Sequence, residues 1–293
     1  QVLNGAQTSE TGYLKEVVQI DAMGGTGHND RNRFGTSLAV TESKEVYGWG
    51  NSLYGALGVK SSIVSTPVRV GTDISNAVQV AGGGKSGSDD WHVNSIGNTG
   101  YTYILKEDGT VSSLGYNVNG ELGNGAHTST TAVQEVSNLT EIMQVAGSKN
   151  GNFGAAVKED GTVWTWGRND GGQLGNNNTS NKSLPVQVKG GASGSEYLTD
   201  VVQVTAGNWH SMALKANGTV WTWGNNEYGQ LGDGSVSCAY EPINVTALNG
   251  KDIVSVHAGE YHSIALTRDG EVYTWGHKDY GQLGLGNASI VVS

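Results

Sequence analysis

One stretch, repeated five times, leaves this 293-residue chain few options. Residues 201–232 read VVQVTAGNWHSMALKANGTVWTWGNNEYGQLG, and 253–284 read IVSVHAGEYHSIALTRDGEVYTWGHKDYGQLG. Residues 142–175 read IMQVAGSKNGNFGAAVKEDGTVWTWGRNDGGQLG, and looser copies run over 17–58 and 77–123. The glycine that closes the third apolar run marks the copies at Gly50, Gly115, Gly167, Gly224 and Gly276, spaced 65, 52, 57 and 52 residues apart. Such a period marks an array of supersecondary units, none of which can bury its apolar face alone.

Each unit reads as β. The runs at 201–204, 211–215 and 219–223 are β-branched and aromatic, and the last two meet at Ala216-Asn217-Gly218. An Asn-Gly between such runs predicts a hairpin with a type I′ turn, whose two central residues both take positive φ. The matching turns are Asp108-Gly109, Asp160-Gly161 and Asp269-Gly270; the first copy has Ser43-Lys44-Glu45 there and is the least regular. A fourth run lies between copies, at 66–70, 132–136, 184–188 and 241–245. Pro67, Pro185 and Pro242 near its start predict an edge strand whose first residue loses no ladder donor. No segment keeps an apolar 3.6 period over three turns, which excludes helical solenoids. The expected fold is all-β, a β-propeller of five four-stranded antiparallel blades forming one domain over 1–293. The blade units fall at about 17–70, 77–136, 142–188, 201–245, and 253–293 plus 1–4.

The set V-x-Q-V-x-A-G, H-S-x-A-L, D-G-T-V-W-T-W-G and N-x-x-G-Q-L-G resembles the repeat of the regulator of chromosome condensation family, over essentially the whole chain. The resemblance implies propeller blades, in a family whose usual ring has seven where this chain carries five copies. It also implies one reading of function, guanine-nucleotide exchange on a small GTPase.

Residues 1–16 resemble 187–200, so the chain starts in the phase of a fourth strand and stops before that strand would recur. The expectation is that Gln1 to Leu3 completes the last blade beside Glu271 to Trp275 and closes the ring. An open arc would expose apolar edges and self-associate. Trp221 and Trp223 alternate along one run and so share a sheet face, expected to pack on the next blade.

Composition narrows the partners. A net charge of −10 speaks against a nucleic-acid surface, which needs clustered Lys and Arg. No run of 18 apolar residues is present, so membrane insertion is not expected. The single cysteine, Cys238, allows no internal disulfide and reads as a buried or half-buried thiol. Low lysine with abundant Asn, Ser, Thr and Gly suits a secreted bacterial protein, extracellular or at the cell surface.

Because the repeat is scaffold, function is sought where copies differ. The connection between first and second strands is two residues in the fourth copy, Asn208 and Trp209, but expands over 24–35 in the first copy and 82–100 in the second. The first expansion carries His28, Asp30, Arg31, Arg33 and Phe34; the second carries Lys85, Asp89, Asp90, Trp91 and His92. Both leave one face of adjacent blades, where mixed charge and aromatic rings suit a protein partner. The alternative is a pair of mobile glycine-rich loops. Gly84-Lys85-Ser86 fails as a phosphate loop, since Gln79 stands where a glycine is required and no helix follows. Asp89, Asp90 and His92 lack a spaced partner to complete a metal site. His210 and His262 share a repeat position and read as blade-internal hydrogen-bonding groups. No G-x-S-x-G elbow and no recurring Asp/His/Ser set occurs, so no catalytic residue, metal or cofactor is assigned. The sequence reads as a non-enzymatic protein-interaction scaffold. Nucleotide exchange and carbohydrate binding by channel aromatics are the alternatives, with no convergent acid pair for glycosidase chemistry.

Overall fold

A computed structural model describes residues 14–24, 35–84 and 99–286. Blade 1 is the antiparallel sheet β1 (Val17–Gly24), β2 (Gly35–Thr41), β3 (Val46–Asn51) and β4 (Ile63–Arg69). Blade 2 is β5 (Ala77–Gly83), β6 (Tyr101–Lys106), β7 (Val111–Gly115) and β8 (Thr130–Glu135). Blade 3 is β9 (Ile142–Gly147), β10 (Phe153–Lys158), β11 (Val163–Gly167) and β12 (Lys182–Gln187). Blade 4 is β13 (Val201–Ala206), β14 (His210–Lys215), β15 (Val220–Gly224) and β16 (Ala239–Asn244). Blade 5 shows three strands among the described residues, β17 (Ile253–Ala258), β18 (His262–Thr267) and β19 (Val272–Gly276). Gln1 to Leu3, expected as its fourth strand, lie outside the described residues. First strands of successive blades lie side by side, β1 against β5, β5 against β9, β9 against β13 and β13 against β17.

Two local expectations are corrected. The hairpins are not type I′: φ is positive at Gly109, Gly161, Gly218 and Gly270 (73°, 77°, 79° and 92°) but not at the Asp or Asn before them. The Gly109 N–H donates to the Lys106 carbonyl at 3.0 Å, and Asp108 Oδ1 accepts from the Thr110 N–H at 3.0 Å. The acid closes a local side-chain turn in ordinary backbone, which leaves left-handed backbone to the glycine alone. Nor do the prolines begin a strand. β16 pairs as Thr222↔Ile243 and then Gly224↔Ala239, so Tyr240, Glu241 and Pro242 bulge opposite Trp223. Pro67 and Pro185 fall in the matching bulges of β4 and β12. A bulge, like a first residue, asks no ladder hydrogen bond of proline.

The core lies between blades. Trp166, Trp223 and Trp275 are buried against the preceding blade, not the next as expected from sequence. Each indole Nε1 donates at 2.9 Å to a carbonyl of that blade's loop, at Glu121, Gln173 and Gln230 respectively. A Cβ on Gly175 or Gly232 would come within 2.8 Å of the indole of Trp223 or Trp275, which explains the last glycine of those two G-Q-L-G segments. In the other direction, one glutamine on each of blades 1 to 4 reaches forward. Gln144 Nε2 donates to the Val204 carbonyl at 2.9 Å while its Oε1 accepts the Val204 N–H at 2.8 Å. Gln19 holds Val80 in this way, Gln79 holds Val145 and Gln203 holds Val256. The amide side chain behaves as one more rung of backbone.

Candidate partner-binding face

Strand alternation puts the connections after the first and third strands of every blade at one end, and the hairpins and inter-blade crossings at the other. The first end carries the loops that vary between blades. The ten residues assigned to a patch from sequence lie within 28–34 and 85–92, outside the described residues. Their stems, Gly24↔Gly35 and Gly83↔Tyr101, open at this same end of adjacent blades.

The loops after the third strands are held by buried asparagines. Asn226 Oδ1 accepts the Leu231 N–H at 2.9 Å, and its Nδ2 donates to Asp233 Oδ1 at 3.0 Å and to the Ser235 carbonyl at 3.1 Å. Asn117 and Asn169 repeat the pattern in blades 2 and 3. The glutamine of G-Q-L-G adds a second brace: Gln230 Oε1 accepts the Tyr228 N–H, and Gln282 Oε1 the Tyr280 N–H, each at 2.9 Å. Two tyrosines are thereby presented on a fixed backbone.

Around them runs an aromatic ledge across blades 3 to 5. The Arg168 guanidinium lies 4.1 Å above the Trp209 ring, and its Nε donates to Asp170 Oδ2 at 2.7 Å. Tyr228 packs edge-on against Tyr261 at 5.3 Å and against His277 at 4.4 Å, and His277 meets Tyr280 at 5.6 Å. Asn208 Nδ2 donates to the Tyr261 hydroxyl at 2.7 Å. The ledge faces solvent, with Tyr228 42% and Tyr280 78% exposed. Partial burial, then the charges of Glu227 and Asp279, raise the Tyr228 hydroxyl above its usual pKa. Burial, then nearby His277, lowers the His262 imidazole. On the first blades Tyr54 and Tyr116 pair at 5.1 Å in corresponding loops.

Toward the first strands, Lys149 ties three blades together. Its Nζ donates to both carboxylate oxygens of Asp21, at 2.7 and 2.8 Å, to the Ala22 carbonyl at 3.0 Å and to the Gly82 carbonyl at 3.4 Å. Asn150 beside it bonds Glu260 of blade 5.

His210 is not blade-internal. Fully buried, it meets Ser263 Oγ of the next blade at 3.1 Å, and burial followed by neighbouring His262 lowers its pKa to about 3, so it stays neutral. Cys238 is exposed rather than buried, because it lies in the loop that leads into β16. Among the described residues no three of His, Cys, Asp and Glu converge as metal ligands, and no helix is long and apolar enough to cross a membrane. The ledge itself escaped the reading from sequence, which treated repeated aromatic residues as core. The available signal was the tyrosine of Y-G-x-L-G, at Tyr54, Tyr228 and Tyr280, which sits in a loop rather than at an inward strand position.

The RCC1-like domain family matches residues 100–292, and the regulator of chromosome condensation (RCC1) repeat family matches residues 44–86. The chain is 31% identical to the E3 ubiquitin-protein ligase HERC2 of Homo sapiens, over 99% of the chain and 6% of that protein. It is 30% identical to the Ultraviolet-B receptor UVR8 of Arabidopsis thaliana, over 86% of the chain and 53% of that protein. The chain thus spans at most about half the length of these curated relatives. Among solved structures, human WBSCR16 superposes with a TM-score of 0.72 at 22% identity, covering 94% of this chain and 66% of that one. Yeast RCC1 (Prp20), solved bound to Kap60, superposes at 0.67 and 23%, covering 86% and 56%.

Proposed function

The chain belongs to the regulator of chromosome condensation repeat family, and from that premise we propose that it is a non-enzymatic interaction module that binds a partner protein through the loop face. The run Tyr228, His277 and Tyr280 carries the reading. Large aromatic rings carried on a hydrogen-bonded backbone, with few rotatable bonds, lose little conformational entropy on binding and are enriched in interface hot spots. The relatives support it in general terms: a ligase and a light receptor share this repeat, so the propeller serves proteins of different activity and function resides in sites carried on it. Because the stems Gly24↔Gly35 and Gly83↔Tyr101 open at the same end, the residues within 28–34 and 85–92 are assigned to the proposed face as well.

The test is affinity capture from the source organism with the full chain and two variants. One is Tyr228→Ala with Tyr280→Ala; the other deletes residues 86–98. A partner held by the parent chain is expected to be lost from at least one variant while its melting temperature stays unchanged. Retention by both would remove the face from consideration. Accelerated nucleotide release from a small GTPase would replace scaffold by exchange factor.

A further inference from the structure

We infer that the ledge on blades 4 and 5 receives an arginine- or lysine-bearing segment of the partner protein. The inference rests on the loop face being an interaction surface and names the chemistry that it recognises.

Blade 3 contains an internal version of the site. There one loop supplies a guanidinium, Arg168, and an acid two residues on, Asp170, while the next blade supplies the ring of Trp209. In the repeat Asn225 takes the place of Arg168, Glu227 that of Asp170 and Tyr261 that of Trp209. Blade 5 has His277 and Asp279 at the corresponding positions. Acid and ring are kept one blade on, and the permanent cation is replaced by a neutral amide. Asn225 Oδ1 is turned inward, accepting from Gln230 Nε2 at 2.8 Å and from the Glu227 N–H at 3.2 Å.

The surroundings suit a cation supplied from outside. Glu227 and Asp279 are exposed, and each directly precedes an exposed tyrosine, Tyr228 or Tyr280. The Asp279 carboxylate lies 3.4 Å from Nε2 of His277, whose ring packs between those of Tyr228 and Tyr280. Lys278 is the one formal cation of this loop, set against Glu227, Asp233 and Asp279 on the two loops together. Electron-rich ring faces beside carboxylates attract ammonium and more strongly guanidinium groups, which stack as well as pair. A chain of net charge −10 adds a long-range attraction for a basic partner.

Fluorescein-labelled octapeptides bearing four arginines, four lysines or four glutamates, spaced by Gly and Ser, are titrated into the full chain and followed by anisotropy. The expected order is arginine, then lysine, with no binding of the glutamate peptide. Tyr228→Ala with Tyr280→Ala is expected to weaken the arginine peptide about tenfold, and Glu227→Gln with Asp279→Asn by a similar factor. Glu159→Gln with Glu196→Gln makes the same charge change at the opposite end and is expected to leave affinity within about twofold. The inference is overturned if the opposite-end pair weakens binding as much as the ledge pair, because attraction is then diffuse charge. It is equally overturned if the tyrosine double variant binds like the parent, or if the arginine peptide does not bind. Should the peptide fail while the tyrosine variant still loses a captured partner, the interaction reading stands and only the basic chemistry falls.

Discussion

The boundary between blades 3 and 4 and the outer faces of blades 1 and 5 are built from the same repeat and end differently. At the inner boundary Gln144 clamps Val204 from one side, and buried Trp223 donates back to the Gln173 carbonyl from the other. On the far face of blade 5 the clamping position is Ser255, whose Oγ, among the described residues, meets its neighbour His257 at 3.2 Å. At the leading face of blade 1, Ile20 stands where Val204 stands and is 72% exposed, and Trp49 is only half-buried. The strands themselves are sound in both places. A blade is therefore a half-built object: its sheet forms locally, and its stability comes from the blade on each side. The code has a direction, with glutamine reaching forward and tryptophan reaching back.

The largest expected effect tests that asymmetry. Trp223→Ala removes a buried ring and its hydrogen bond, and is expected to cost about 3–5 kcal/mol. Trp49→Ala, the same substitution at a half-buried ring on the leading face of blade 1, is expected to cost less than half of that. Urea unfolding of both variants decides it; equal losses would mean that the leading face of blade 1 is covered as fully as the inner boundary.

Next is Glu121, at the boundary between blades 2 and 3, where its carbonyl receives the Trp166 indole. It stands where blades 3 to 5 have Gln173, Gln230 and Gln282, and it is fully buried. Burial raises its pKa to about 7, against the hydrogen bonds from Asn119 that favour the carboxylate. The folded state thus prefers the proton. The associated stability is complete below the unfolded value near 4.5 and is lost as pH rises through about 7. The loss between pH 4.5 and 8 is expected at about 3 kcal/mol, and Glu121→Gln is expected to abolish it. A parent chain and variant with parallel stability–pH curves over that range would refute the assignment.

The clamp gives a smaller pair. Gln144→Ala strands the N–H and carbonyl of buried Val204, and is expected to cost about 2 kcal/mol. Ser255→Ala, at the same repeat position on the outer face, is expected to change stability by less than about 0.5 kcal/mol. Hydrogen exchange at the Val204 amide should quicken in the first variant; protection equal to that of the parent would show that the clamp is incidental.

Much of this was legible in sequence because the repeat averages out local ambiguity. Five copies of one pattern fixed the first three strands of every blade, hairpin position and the order of blades, and the fourth strands of blades 1 to 4 fall within a few residues of their expected places. Three features were not legible, each because it depends on a neighbour distant in sequence. Alternation shows that Trp221 and Trp223 share a face but not which blade covers it. The glutamine of V-x-Q-V looks like an exposed strand polar residue until the next blade's backbone is beside it. The ledge joins residues 228, 261, 277 and 280 from loops of two blades, and their recurrence within the repeat hid them among structural aromatics.

The smallest expected effect compares the hairpin tips of a terminal and an inner blade. Lys44 has φ 61° and occupies the place of Gly109, making the same turn bond, from its N–H to the Thr41 carbonyl at 2.8 Å. Both tips also serve the next blade: the Lys44 carbonyl accepts the Ala77 N–H at 3.1 Å, and the Gly109 carbonyl accepts the Ile142 N–H at 3.0 Å. A side chain in left-handed backbone costs about 1–2 kcal/mol. Lys44→Gly relieves that cost, gives back part through the freer unfolded chain and loses an ion pair with Glu107 that is too exposed to contribute much. The net expectation is a gain of about 0.5 kcal/mol. Gly109→Ala runs the exchange in reverse, and its Cβ would meet the Glu141 Cα and N at 3.0 Å, so a loss of more than about 1 kcal/mol is expected. Thermal melts of the two variants should move in opposite directions. If Lys44→Gly also lowers the melting temperature, the lysine side chain contributes to the crossing between blades 1 and 2 by more than its backbone angle costs.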